Sequence, residues 1–489
     1  MAWHLAITIS GLLIPISLIY SYYRYKLSYF ERRGIPHLPP DILRRQRDTM
    51  ELLRSAYKRF KGNTPIAGIF LQTTPAVIIL DLELIKRVLI DDFSSFADRT
   101  DNQSSNKELL YALENAEWQT MRRKLTPCFW SAKMSEIFPA VIRAAKSLVS
   151  NSEIVDQSDD GTLDIQGLCT RYASDAFVSC VFGVELSGAN DSTQTLRLRM
   201  QELVARECQT RFTTNCMMTR EHCARCTHAQ TSEVPLNLSA QLECMVREAI
   251  KLQREGEVKQ TCILRILYEL LTIEEGECTA AARKDCEQRA VQLLTQSLAT
   301  LLTGFANSAK ILINCLKELA CNLQIQRQLR QNIVSVMHTY EHEFSYEAMG
   351  HMHYLDQVVA ETLRKHPTTE VLIRHALSDY RIANTPLTIE RGTCVLVPVK
   401  DIHHDPAVYP APERFDPARF DAVAVMARHA CAYLPYDDGP RNCLGKRLSK
   451  MLIKVAVVAL LRIYQIECGE GVEDNVVIQD EIRLQICKI

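Results

Sequence analysis

No charge of either sign dominates this sequence. Lysine and arginine total 57 and aspartate and glutamate 58, a formal balance of −1 over 489 residues, so the chain has no field to gather nucleic acid or an acidic substrate. Regular cysteine spacing is missing too. The eighteen cysteines follow no framework pattern, which excludes a disulfide scaffold and points to thiols that are mostly reduced. There is no internal repeat and no low-complexity tract, and Pro-rich linker composition occurs only once, near the N-terminus. The chain is therefore neither a solenoid nor a string of small modules. Its first 23 residues lack Asp, Glu, Lys and Arg altogether.

That uncharged stretch is rich in Leu and Ile and, at ~1.5 Å per residue, long enough to span roughly 30 Å of hydrocarbon as a helix. The basic residues Arg24, Lys26, Arg32 and Arg33 follow it, and no small-x-small cleavage site comes next, which favours an uncleaved anchor over a removed signal peptide. Positive flanks stay on the cytoplasmic side, so the rest of the chain is expected in the cytosol. Residues 24–40 read as a basic, Pro-rich hinge, because Gly34, Pro36, Pro39 and Pro40 resist both helix and central strand. With 47% hydrophobic residues overall, the remainder can bury a large core. Helical periodicity dominates it, as at 288–321 and 446–464, and short β-branched runs appear at 75–81 and 393–399. Residues 41–489 are thus expected to form one large, mainly α domain of α+β type with a small β region.

The segment PYDDGPRNCLGKR, residues 435–447, runs from a turn-rich loop into an apolar-periodic helix. Gly439 and Pro440 bend the loop. Cys443 lies just ahead of the helix, where unpaired N–H groups and the positive dipole end favour a thiolate. Gly445 lets the backbone approach a flat ligand without a Cβ in the way, and Arg441 adds a fixed positive charge suited to a carboxylate.

The string Tyr436, Gly439, Arg441, Cys443 and Gly445 resembles the cysteine-ligand loop of the cytochrome P-450 superfamily. Two departures stand out: the family usually has Phe at 436 and a small residue at 437, where this chain has Tyr436 and Asp437. ETLR at 361–364 is similar to the family's E-x-x-R motif, and FDPARF at 415–420 supplies Arg419 as the third member of a Glu361–Arg364–Arg419 network that holds the ligand loop. The resemblance also implies haem b as cofactor, with Cys443 as the iron ligand. It implies as well a propionate site built from Trp118 and Arg122 of a W-x-x-x-R, Arg374, Arg441 and, fourth, Arg99. RRGIPHLPP, KLTPCFWSAKM and IHHDPAVYPAPERFDPARF are similar to the arthropod microsomal detoxifying branch. That likeness implies an endoplasmic reticulum membrane protein that oxidises small lipophilic compounds, with electrons from NADPH through a membrane cytochrome reductase and sometimes from cytochrome b5.

One stretch departs from the pattern. LLTGFANSAK, residues 301–310, stands against the family's A-G-x-E/D-T. Gly304 is kept, but Ala306 occupies the acid position and Asn307 the alcohol position, so the usual proton-relay pair is missing. Ser308 comes one residue late, and Lys310 adds a cation one turn on. Three activities stay open on the sequence: an oxygen-inserting monooxygenase, an enzyme that uses or rearranges peroxides, and a non-catalytic haem-binding protein. Cavity walls are expected from 100–116, 204–230, 300–308 and 368–372, where Glu370 is an unexpected charge. Cys216, His222, Cys223, Cys226 and His228 could serve as zinc ligands.

Overall fold

The computed structural model describes residues 2–40, 49–71, 73–99, 110, 113–150, 162–184, 191–213, 238–255, 261–273, 280–468 and 483–488. The architecture is mainly helical, with small β-sheets at its margins. The cysteine- and histidine-rich stretch with Cys216, His222, Cys223, Cys226 and His228 lies outside the described residues. Among the described residues, no cluster of His, Cys, Asp and Glu is arranged to hold a metal ion.

The first helix, α1 (Ala2–Leu27), has side chains described from Leu13 onward. Leu13, Ile14, Ile16, Leu18 and Ile19 are each more than half exposed. Among the described residues no helix is long and apolar enough to cross a membrane. The segment read as a basic, Pro-rich hinge is fastened to the domain. Phe30, fully buried, covers Gly68 so closely that a Cβ there would lie 2.6 Å from the ring. Leu38 N–H donates to Gly68 O at 3.0 Å, and Gly68 N–H donates to Pro36 O at 2.7 Å. Arg33 grips Glu390 through two hydrogen bonds of 2.7 and 2.8 Å. The prolines forbid helix here, but their extended backbone suits pairing along a strand edge.

That strand is β1 (Ile66–Leu71), antiparallel to β2 (Thr74–Ile79). The sheet order is β1-β2-β4-β3, where β3 is Leu372–His375 and β4 is Cys394–Val397. β4 runs parallel to β2 and antiparallel to β3, which pairs Arg374 with Val395. A second sheet joins 162–164, 483–488 and 464–468.

Helix α2 (Asn115–Leu125) carries Trp118 and Arg122. The helix at the centre is α3 (Ala280–Cys321), 42 residues long. Leu294, Leu298, Leu302, Phe305, Ala309, Leu312, Leu316 and Leu319 recur every three or four residues along it, and all are buried. Such a stripe anchors a helix against its neighbours; here these are the helices 165–177, 191–213 and 238–254. Helix α4 (His353–Lys365) and helix α5 (Lys446–Leu461) complete the core, the latter apolar on nearly every side, as expected of a helix buried all round.

Candidate active site

One cavity of about 360 Å³ lies between α3 and the loop ahead of α5. Gly304, Asn307 and Ser308 line it from α3, and Cys443, Leu444 and Gly445 line it from the loop. The loop's shape follows from its glycines. Gly439 sits at φ +71°, and a Cβ there would lie 2.0 Å from the Leu89 carbonyl oxygen, so only glycine fits. Cys443 N–H donates to Tyr436 O at 2.8 Å, which closes the turn that presents the sulfur.

Desolvation by the surrounding walls pushes the Cys443 pKa up, against the opposing pull of the Gly445 N–H, Arg99 and Arg122. The side chain is nevertheless open to the cavity, so the shift reflects the walls around the sulfur and leaves it free to meet a cation there.

Along one edge of the cavity, four guanidiniums converge. Arg122 donates to Asn442 O and Asn442 Oδ1, both at 2.7 Å, and so holds the residue next to Cys443. Arg441 lies 4.2 Å over the Trp118 ring, donating to Ala97 O and Leu113 O at 2.9 Å each. Arg374 donates to both oxygens of Asp437 at 2.8 and 2.9 Å, and Arg99 reaches Asp437 Oδ2 and Arg441 O, each at 2.5 Å. Burial pushes the pKa values of Arg122, Arg374 and Arg441 down, and the neighbouring Arg99 adds to it for all three. Arginine stays charged in proteins, so the shift means that the cluster favours an anion. Asp437 and Asp98, the latter 3.5 Å from Arg441, are the carboxylates among these four. Neither pairing was anticipated from the sequence; the signal was an acidic residue in a loop expected to be small at that position.

Glu361, Arg364 and Arg419 also come together. Arg364 donates to Glu361 at 2.7 and 2.9 Å, and also to His403 O at 2.9 Å and Pro412 O at 2.7 Å. Glu361 accepts from Asp416 N–H at 2.9 Å and lies 3.4 Å from Arg419 Nε.

The grouping of Ala306 with the cavity residues needs correction. Ala306 is fully buried in the apolar core and does not line the cavity. At about 100° per residue, it stands on the far side of α3 from Gly304, whereas Asn307 and Ser308 share the glycine's face. Ser308, judged one residue late, does reach the cavity, with its hydroxyl donating to Gly304 O at 2.8 Å and meeting Ser449 Oγ at 3.0 Å. One turn before Asn307, Thr303 lines the cavity and donates to Glu207 Oε1 at 3.2 Å. Lys310 is buried and Glu370 binds Lys400 at 2.6 Å; neither lines the cavity.

The family model for cytochrome P450 matches residues 42–485. The chain belongs to the cytochrome P450 family. Among curated relatives, it is 33% identical to a probable cytochrome P450 6a14 of Drosophila melanogaster, over 93% of this chain and 92% of that protein. It is 30% identical to cytochrome P450 6a2 of the same fly, over 94% of each chain, and 31% identical to cytochrome P450 6A1 of Musca domestica, over 91% and 89%. These are haem monooxygenases by family, and the P450 cavity here fits that cofactor on two counts. A Cβ built at Gly304 or at Gly445 would meet no protein atom within 4 Å, so both glycines leave open space on facing walls. Arg99 Nε, Arg374 Nε and Arg441 Nη1 are buried without a protein partner, which suits donors meant for carboxylates.

Proposed function

We propose that this P450 is a membrane-bound haem-thiolate monooxygenase that inserts one oxygen atom from O2 into small lipophilic substrates. The observation that carries the proposal is the shared cavity: a cysteine sulfur on one wall, arginines with uncommitted buried donors along one edge, and apolar side chains such as Leu110, Ile263, Leu301 and Val371 around the rest. In this reading, Cys443 holds the iron of haem b, and Trp118, Arg122, Arg374, Arg441 and Arg99 hold its propionate edge. When bound, the haem supplies the redox centre at which O2 is reduced. Glu361, Arg364 and Arg419 fasten the chain around 403–416, against which the ligand loop packs. NADPH is the electron source, through a cytochrome reductase and, as a second donor, cytochrome b5.

The protein's own contribution to proton delivery rests with Asn307, Thr303 and Ser308, whose polar groups reach the cavity from one face of α3. An amide can orient a water, and Thr303 already joins a hydroxyl to the Glu207 carboxylate. This arrangement differs from an acid and alcohol on adjacent positions. It favours slower proton transfer and some release of reduced oxygen as peroxide. The exposed apolar side chains of α1 support membrane attachment, with the domain on the cytosolic face of the endoplasmic reticulum.

Two measurements test the reading. Reduced, CO-treated native protein is expected to show the thiolate-type absorbance, and Cys443→Ser to lose it while other haem bands persist. With reductase and NADPH, lipophilic compounds that perturb the haem spectrum are expected to yield products one oxygen atom heavier. A Cys443→Ser spectrum identical to native sinks the ligand assignment. Turnover supported by peroxide but not by NADPH replaces the monooxygenase with a peroxide-using enzyme.

A further inference from the structure

The arginine edge already contains an anion of its own. Asp437 is 6% exposed at its side chain and accepts hydrogen bonds from both Arg99 and Arg374. Its backbone sits at φ +60°, the left-handed region that favours glycine. Aspartate and asparagine tolerate that region better than most residues, and Asp437 Oδ1 also accepts from the Asp438 N–H at 2.8 Å, but asparagine would serve both needs equally, so the local backbone gives no reason for the charge. The reason lies in what the carboxylate touches.

Four guanidiniums around one buried edge repel one another: Arg99 pushes Arg374 and Arg441 down, as Arg374 does Arg441. Without Asp437, the remaining carboxylate is Asp98, which lies 3.5 Å from Arg441 and does not reach Arg374 or Arg99 in any hydrogen bond described. An uncompensated buried charge is strongly destabilising. Asp437 thus holds Arg99 and Arg374 together, and through Arg99, which also donates to Arg441 O, it ties the ligand loop to the strand that carries Arg374.

We propose that Asp437 is a built-in counter-ion of the propionate site, one that assembles the arginine cluster before haem arrives and afterwards competes with a haem carboxylate for Arg99 and Arg374. The inference rests on the haem reading given above. It makes Asp437 a positioning residue with two opposite effects. The haem-free protein gains, because its arginines are neutralised. The haem-loaded protein loses part of that gain, because the same donors are shared, and the additional negative charge at the haem edge favours the oxidised iron.

The test compares full-length native protein with Asp437→Asn and Asp437→Gly. Asparagine keeps the size and tolerates the left-handed backbone, and glycine removes both the charge and the strain. Haem is loaded during expression, and its loss is followed by transfer to an excess of a haem-free globin. Both variants are expected to lose haem at least threefold more slowly than native protein. At a fixed applied potential, their ratio of ferrous to ferric haem should rise at least threefold, which for a one-electron couple is about 28 mV. Haem-free variants should melt at lower temperature than the haem-free native protein. Unchanged or faster haem loss in either variant, or an unchanged ratio, overturns the proposal and leaves Asp437 as a fastening of the loop alone. Native protein that shows no thiolate-bound haem at all sinks the functional reading beneath it, a result distinct from any difference between the variants.

Discussion

Arg364 meets Glu361 through two parallel hydrogen bonds of 2.7 and 2.9 Å, and neither side chain has any exposed surface. Two further donors of the guanidinium go to the carbonyls of His403 and Pro412. Removing one partner from such a pair typically costs about 3–5 kcal/mol, because the other charge is left buried and alone. Arg364→Ala is therefore expected to lower the folded fraction sharply and to abolish haem retention. Arg364→Lys should fail nearly as badly, since an ammonium cannot reproduce a fork that serves one carboxylate and two carbonyls. Soluble yield and haem-to-protein ratio check this, and a normal ratio in Arg364→Ala contradicts it.

Asp401 gives the opposite kind of effect. Burial pushes its pKa up to about 6, against the pull of Arg54 and Lys400. Between the ordinary carboxylate value of about 4 and 6, the folded state binds more protons than the unfolded one, so this group's contribution to stability falls as pH rises through that window. Above pH 6 the protein carries the full cost of an ionised, largely buried carboxylate, on the order of 2–3 kcal/mol. Asp401→Asn should recover most of that at pH 7 and change little at pH 4. Urea titrations at the two pH values decide it; equal stability of variant and native protein at pH 7 rules the account out.

Deleting residues 1–23 should release much of the protein from membranes while haem binding stays intact. The grip of Arg33 on Glu390 and the packing of Phe30 on Gly68 lie beyond the deletion and survive it. Fractionation followed by absorbance of the soluble fraction checks both halves. A truncated protein unable to hold haem would show that the segment is part of the fold.

The proton route can be probed at Asn307. Asn307→Thr restores a hydroxyl on the cavity face of α3, and a positioned acid–base group typically contributes about 10²–10⁴ in rate. Product formed per NADPH consumed should rise in this variant, with less peroxide released. Ala306→Glu should not help, because its side chain would enter the apolar core, where an unpaired carboxylate costs several kcal/mol. If Asn307→Thr leaves the ratio unchanged at normal haem content, proton delivery runs through Thr303 and Glu207 instead.

Much of this was legible in the sequence wherever spacing alone fixes geometry. Glu361 and Arg364 stand three residues apart on one helix, and Gly439, Arg441, Cys443 and Gly445 lie on one short loop, so their juxtaposition needs no tertiary information. Ala306 shows the limit. Sequence order places it beside Asn307, but helical rotation turns it into the core. Asp437 shows another: its partners are 63 and 338 residues away, and only the folded loop reveals that an odd residue in a motif neutralises two arginines. The raised pKa of Cys443 was illegible for a third reason, since a helix-end argument contains no measure of the desolvating walls that line the cavity. The proline-rich stretch read as a hinge because proline forbids regular hydrogen bonding within a segment, although it permits pairing with a neighbour.

The seating of Phe30 on Gly68 carries a mechanical consequence. Helix α1 ends at Leu27, and the ring is already locked at Phe30. Three residues of extended chain reach at most about 10 Å. If α1 lies in a bilayer, as proposed above, the body rides on a short bracket and not on a rope: its distance from the lipid is limited by the protein, and a compound dissolved in that lipid would meet the flank of the enzyme nearest α1.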